Sequence, residues 1–424
     1  MIQRSSYTDL IKLYMNKPFI KVITGIHRCG KSTALMWIRQ ELQKRGVPYQ
    51  DILYINFEAL RHGKIRDGET LLRAVRQQRT EQGENQGQGQ KPDQEQHPDQ
   101  NAEQGRKRYL LLDEIQYLPG WERVVKTLYE RENCDLYLTG SRAGILESPE
   151  AALIARNCVQ IRMYPYSFSE YLEQFGEEES GADRESCFRN FFIYGSMPGI
   201  HGLKKEEEGI WQYLLDVCRA GILQDAVRES NLRNVGQLWM LLEYLADHLG
   251  EPLSAKTISD GMNRNGRQIS KDTVYAMLKA LESGHLIYRA RRYDLKAERV
   301  VEAREKYYFT DWGMCHAIKG VCREKVCGVL ENMVCMELLA RGFRVYRGKI
   351  GRKEFDFLAE RGREHICIQV RERVSGETLE EAAGPFVRLK GGYQKLILSM
   401  DEEDGRTGKN EIRHRNLLAF LENI

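Results

Sequence analysis

Short apolar runs alternate with amphipathic stretches through the first third of the chain. FIKVITG (19–25) is an apolar run closed by glycine, and ALMWIRQELQKRG (34–46) spaces its apolar residues as a helix does before a second closing glycine. LYINFE (53–58), YLLLDEIQ (109–116) and LYLTGSR (136–142) are further compact apolar runs, suited to strands buried on both faces of a parallel sheet. This order predicts an α/β sandwich. Between two of its strands, residues 77–105 are about one third glutamine, net negative, and without a large apolar residue to offset the entropy of ordering. They read as a disordered surface insertion.

The pattern then changes. Residues 169–235 read mainly as helix, broken by FFIYGSMPGI (191–200) and resumed by the amphipathic WQYLLDVCRAGILQDAV (211–227), which predicts a helical lid. Residues 236–312 hold LWMLLEYLADHLG, PLSAKTISDGM and SKDTVYAMLKALESG, followed by HLIYRARRYD and KYYFTD. Helices followed by a β-hairpin predict a winged helix. From 313 to 424, helical VLENMVCMELLARG precedes strands FRVYRG, KEFDFLAE, HICIQVRE and KLILSM, then LLAFLENI, the pattern of a smaller α/β domain. The expected domains are therefore 1–168, 169–235, 236–312 and 313–424.

Composition adds limits. A chain of 424 residues exceeds one typical core, and 42% hydrophobic with 29% charged residues is ordinary for a globular protein, so function must be sought in local motifs. A net charge of +3 permits a polyanion partner without demanding one. Ten scattered cysteines with no CxxC pair fit reduced thiols better than a disulfide framework or a zinc site. No apolar stretch has the length of a signal peptide core or a membrane span, so a cytoplasmic protein with no membrane contact is expected.

Gly25-Ile26-His27-Arg28-Cys29-Gly30-Lys31-Ser32-Thr33 satisfies G-x-x-x-x-G-K-[ST] between an expected strand and an expected helix. Gly25 and Gly30 let backbone N–H groups wrap phosphate oxygens, and Lys31 reaches the terminal phosphates of ATP. Ser32 is placed to ligate Mg²⁺, with Thr33 beside it. In YLLLDEIQ the apolar run sets Asp113 at a strand's C-terminal end, where its carboxylate can hold the Mg²⁺ shell. Glu114 follows as candidate catalytic base, the position at which additional-strand P-loop ATPases polarise the attacking water. Thr139 and Ser141 emerge from LYLTGSR where a γ-phosphate sensor would sit.

TGIHRCGKST, YLLLDEIQYLPGWE, LYLTGSRAGIL and PYSFSEYLE occur in an order that resembles the prokaryotic AAA-type ATPases whose ATPase domain is followed by a restriction-endonuclease-like domain of uncharacterised function. The resemblance spans nearly the whole chain. It implies an AAA core binding ATP and Mg²⁺, a winged helix and a nuclease-like end domain. His27 stands where the family often has arginine, although Arg28 remains. The family's glycine-arginine pair appears here as Ala155-Arg156, which makes Arg156 the candidate arginine finger.

In the end domain Glu331 falls on a helix, Asp356 on KEFDFLAE, and Gln369 with Arg371 on one face of HICIQVRE. This resembles the nuclease constellation of helix glutamate, strand aspartate, then glutamate or glutamine two residues before lysine. Arg371 replaces that lysine and cannot deprotonate, so a degenerate site is expected. For the winged helix, Ser270, Lys271, Thr273 and Tyr275 face a candidate DNA partner, with basic residues in RARRYD and LKAERVVEAREK. The leading expectation is a Mg-ATP-dependent switch or motor. The rivals are an ATP-controlled DNA-binding or DNA-processing protein and a slowly hydrolysing scaffold, and self-association is a further candidate interaction.

Overall fold

The computed structural model describes residues 4–59, 65, 67–85, 107–175, 184–203, 206–222, 235–264, 269–321, 325–387, 389, 391–402, 405–407 and 411–422. Two compact units divide it: residues 1–25 with 30–163, and residues 26–29 with 164–424.

The first unit is built on five strands, β1 Ile20–Thr24, β2 Ile52–Asn56, β3 Arg108–Asp113, β4 Cys134–Gly140 and β5 Cys158–Arg162. They lie in the order β2-β3-β4-β1-β5, every pairing parallel. Strand β4 intervenes between β1 and β3, the additional-strand arrangement. Alternation divides the apolar residues between the sheet's faces. Ile20, Val22, Leu110, Leu112, Leu136 and Leu138 join Leu71 and Val75 of α3 (Gly68–Asn85) and Trp121, Val124, Val125 and Leu128 of α4 (Trp121–Arg131) in one core. Helices α1 (Ser5–Tyr14) and α2 (Lys31–Lys44) bury Ile11, Leu35, Ile38 and Leu42. Helix α3 runs to Asn85, so residues 77–85 of the segment expected to be disordered are helical instead. Glutamine, glutamate and arginine are good helix formers and extend a helix nucleated by Leu71, Leu72 and Val75. The rest of that insertion lies outside the described residues. A short helix, α5 (Ala152–Ala155), precedes β5.

The second unit opens with helices α6 (Phe168–Phe175), α7 (Arg184–Tyr194) and α8 (Glu207–Gly221). Phe191 packs on Phe168 at 5.0 Å and on Trp312 at 4.7 Å, tying these helices to α12 (Trp312–Lys319). Helices α9 (Val235–Asp247), α10 (Ala255–Asn263) and α11 (Lys271–Ser283) then lead into a hairpin of β6 (Ile287–Asp294) and β7 (Arg299–Phe309), with an antiparallel bridge from Leu253 to Glu305. The hairpin belongs to a larger sheet. Strand β6 pairs in parallel with β8 (Arg344–Ile350), and with β9 (Lys353–Arg361), β10 (Glu364–Val370), β11 (Gln394–Ser399), β12 (Gly405–Thr407) and β13 (Ile412–Asn416) this gives eight strands ordered β12-β13-β11-β10-β9-β8-β6-β7. Helix α13 (Val326–Ala340) contacts β7, β8, β9 and β10 and is buried along most of its length. Helices α14 (Gly376–Ala383) and α15 (Leu417–Leu421) complete the unit. Among the described residues no helix is long and apolar enough to cross a membrane.

Candidate nucleotide site

Parallel register brings four strand ends side by side: Thr24 lies opposite Gly140, Leu112 opposite Leu138, and Asn56 opposite Asp113. The loop after β1 turns into α2 with Gly30 as N-cap at φ +109°, a backbone region that strains any L side chain, and Arg28 is also left-handed at φ +64°. Lys31 is the first residue of the helix, so its ammonium starts beside the loop it closes. It is 3% exposed, donates to the Gly25 carbonyl at 3.0 Å and meets Glu114 Oε1 at 3.1 Å. Ser32 and Thr33 stand exposed on the first turn.

Asp113 is fully buried at the end of β3. Its Oδ1 accepts from the Thr139 hydroxyl at 2.5 Å, and its Oδ2 from Tyr54 Oη at 2.8 Å and Asn56 Nδ2 at 3.1 Å. Tyr54 and Asn56 sit on β2, one strand away, and no motif marked them in the sequence. Burial, followed by the Asp113 contact, pushes the Tyr54 phenol up to about 12, so it serves Asp113 as a donor at all working pH.

Glu114 adopts φ +52°, turning its side chain out of the strand direction. Its N–H donates to Thr139 Oγ1 at 2.8 Å, while its Oε2 accepts from Gln116 Nε2 at 2.6 Å and from the Ser141 N–H at 3.2 Å. Gln116 also donates to Ser141 Oγ at 3.0 Å. Lys31, Asp113, Glu114, Thr139 and Ser141 therefore form one connected network, with Gln116 as a member the motif reading missed. Its place two residues after Glu114 was the available signal.

Arg28 and Arg156 are not in this network. The Arg28 guanidinium lies over the Tyr213 ring, 5.3 Å from its centroid. Arg156 is exposed at the C-cap of α5, with no ion pair or hydrogen bond of its side chain among the described residues.

Residues 17–172 match the family described as AAA domain. This segment is similar to AAA domains, and its loop Gly25–Thr33 has the P-loop pattern. Around the AAA domain, residues 185–325 match a domain of unknown function, a span that crosses the boundaries expected at 235 and 312. An uncharacterized protein of Haemophilus influenzae is 28% identical over 399 residues, covering 94% of this chain and 93% of its own length. An uncharacterized protein of Methanocaldococcus jannaschii is 27% identical over 301 residues, covering 62% of this chain and 61% of its own. The Walker-type ATPase of Pyrococcus abyssi superposes with a TM-score of 0.50 at 18% identity, covering 75% of this chain and 96% of that one, a likeness of fold.

Beyond the AAA domain, the C-terminal candidates do converge, and they gain a partner. Lys306 of β7 donates to Glu331 Oε2 at 2.7 Å and to Asp356 Oδ1 at 2.8 Å. Tyr308 donates to Glu331 Oε2 at 2.8 Å, and Gln369 Nε2 and the Val370 N–H donate to Asp356 Oδ2 at 2.5 and 2.9 Å. Arg371 stays at the margin, 3.5 Å from Asp356 and bonded to the Val370 carbonyl. Burial alone would lower the Lys306 pKa, but Asp356 and Glu331 carry it above the ordinary lysine value; burial pushes Glu331 up to about 7.

Proposed function

We propose that the AAA domain binds ATP with Mg²⁺ and hydrolyses it, and that the chain works as a nucleotide-driven switch or motor. The observation that carries this reading is the ion pair between Lys31 and Glu114 inside the Asp113–Thr139–Ser141 network. Through this pair Lys31 neutralises the candidate base. The γ-phosphate of ATP competes for Lys31, and the released Glu114 carboxylate can then take a proton from the attacking water as the bond between the γ-phosphorus and the bridging oxygen breaks. Ser32 is exposed on the first turn of α2, and Asp113 keeps acceptor capacity beyond its three hydrogen bonds, so both suit a magnesium shell. Bound there, the ion would neutralise phosphate charge. Arg156, exposed and without a partner in the network, is proposed as a finger that acts only when nucleotide or a second copy of the chain approaches. Steady-state hydrolysis tests the reading. Lys31→Ala should lose tight ATP binding, while Glu114→Gln should keep ATP bound and lose turnover by about 10²–10⁴-fold. Wild-type turnover in Glu114→Gln would assign the base elsewhere.

A second reading, DNA binding, is favoured by the open face of α11, where Lys271, Tyr275 and Lys279 are exposed. We infer a winged-helix arrangement from three helices followed by the β6–β7 hairpin. Ser270 is spent as the N-cap of α11, accepting from the Thr273 N–H at 3.1 Å. Arg289 and Arg292 are paired with Glu282 and Glu354 at 3.0 and 2.7 Å, leaving Arg291, Lys296 and Arg299 as the exposed basic residues around the hairpin turn. Fluorescence anisotropy with duplex DNA at two salt concentrations checks it: Lys271→Ala/Lys279→Ala should weaken binding and flatten its salt dependence. The end domain is proposed to lack efficient nuclease activity, which a plasmid-cutting assay with Mg²⁺ or Mn²⁺ would overturn.

A further inference from the structure

The polar cluster of the second unit is assembled from four elements: Lys306 from β7, Glu331 from α13, Asp356 from β9 and Gln369 from β10. All are buried, at 6, 6, 7 and 4% exposure. Two buried carboxylates facing one gap repel unless a cation lies between them, and here the cation is the Lys306 ammonium, 2.7 Å from one carboxylate oxygen and 2.8 Å from the other. Oxygen-bound divalent ions sit about 2.0–2.6 Å from their ligands, so an ion bridging these same oxygens would occupy the ammonium's place.

Charge and hydrogen bonding point the same way. Two carboxylates are balanced by Lys306 and by Arg371 at the margin, so a divalent ion would leave an excess of two positive charges in a buried cluster. Asp356 Oδ2, the oxygen turned away from Lys306, is also engaged: it accepts from Gln369 and the Val370 N–H. Gln369 presents its NH₂ to Asp356, which is the wrong pole for a metal. We propose that Lys306 is the resident cation of a two-carboxylate site, seated where a divalent ion would sit, and that the second unit therefore excludes Mg²⁺ and Mn²⁺ unless this lysine is removed. The inference is independent of the ATPase reading.

Mn²⁺ is the probe, added to nucleotide-free, full-length protein, with bound ion counted by electron paramagnetic resonance and melting temperature followed in parallel. Wild type and Asp356→Asn should bind the same amount of Mn²⁺. Lys306→Met should melt at lower temperature, gain a Mn²⁺ site, and recover melting temperature when Mn²⁺ is added, because an ion that binds only the folded state stabilises it. Lys306→Met/Asp356→Asn should lose that gain, which separates this site from any Mn²⁺ held near Asp113. Mn²⁺ binding by wild type that disappears in Asp356→Asn overturns the proposal, as does a folded Lys306→Met that takes up no additional ion. Should Lys306→Met fail to fold with or without Mn²⁺, Lys306→Gln serves in its place, and the wild-type comparison decides in any case.

Discussion

Glu114 shows how a residue is set by neighbours that no motif names. Its carboxylate is shared between Lys31 on one oxygen and Gln116 with the Ser141 N–H on the other. A hydrogen bond to a charged group is worth about 1.5–3 kcal/mol, and every 1.4 kcal/mol is about tenfold in rate. Gln116→Ala is therefore expected to lower kcat about 10- to 100-fold with KM nearly unchanged, read from steady-state ATP hydrolysis. Loss of ATP affinity instead would make Gln116 part of the binding loop. Asp311 offers a second test. It is fully buried, accepts from the Ser196 N–H at 2.6 Å and the Gly313 N–H at 2.8 Å, and burial raises its pKa from 3.8 to about 6. Gly195, at φ +82°, is required there because a Cβ would fall 1.9 Å from Asp311 Oδ1. Since the folded state holds this proton more tightly than the unfolded chain, its contribution is present in acid and lost as pH rises through about 6. The loss amounts to about 3 kcal/mol. Melting temperature measured against pH should show wild type losing stability relative to Asp311→Asn between about pH 4 and 6; parallel profiles would remove Asp311 as the cause.

At the scale of elements, β1 carries a charge through the centre of an apolar strand. Lys21 is fully buried and ion-paired with Asp135 of β4, which also accepts from Tyr137 Oη at 2.7 Å and the Asn16 N–H at 3.0 Å. Burial lowers the Lys21 pKa, with Asp135 opposing. Removing one partner of such a pair strands the other charge, so Lys21→Met should cost about 3–5 kcal/mol, and Lys21→Met/Asp135→Leu should recover much of it. Urea denaturation of the two variants checks this. Helix α4 is the simpler case: Trp121, Val124, Val125 and Leu128 fall at helical spacing on one buried face. Leu128→Ala should cost about 2–5 kcal/mol by the same assay. Period-two and period-3.6 patterns were legible because burial acts on every turn or alternate residue. The reach of α3 to Asn85 was not, because glutamine-rich sequence suits either helix or coil and the tertiary attachment of Leu71 and Val75 decides.

For the whole molecule, each unit has a core of its own, so calorimetry should resolve two transitions. ATP should raise the transition of the unit that contains Lys31, and Lys31→Ala should abolish that rise. Asp311→Asn should shift the other. A single transition responding to both would mean that the units unfold together. Domain borders are the least legible feature. The first unit runs to Met163, and the β6–β7 hairpin is continuous with strands up to Asn416 through the parallel pairing of β6 with β8. Main-chain pairing between strands more than fifty residues apart leaves no mark on either strand.

The sequence by itself marked the P-loop pattern and the chain-local half of the candidate site. The loop from Gly25 to Thr33 and the pair Asp113-Glu114 are contiguous, and their chemistry requires those residue types at that spacing. Only the tertiary structure decided what surrounds them. Tyr54 and Asn56 reach Asp113 across a strand pairing, and Gln116 reaches Ser141 through the turn after β3. Lys306 meets Glu331 and Asp356 from 25 and 50 residues away. Such contacts depend on strand register and on which faces are buried together, and those are set by the whole core rather than by any local run of residues.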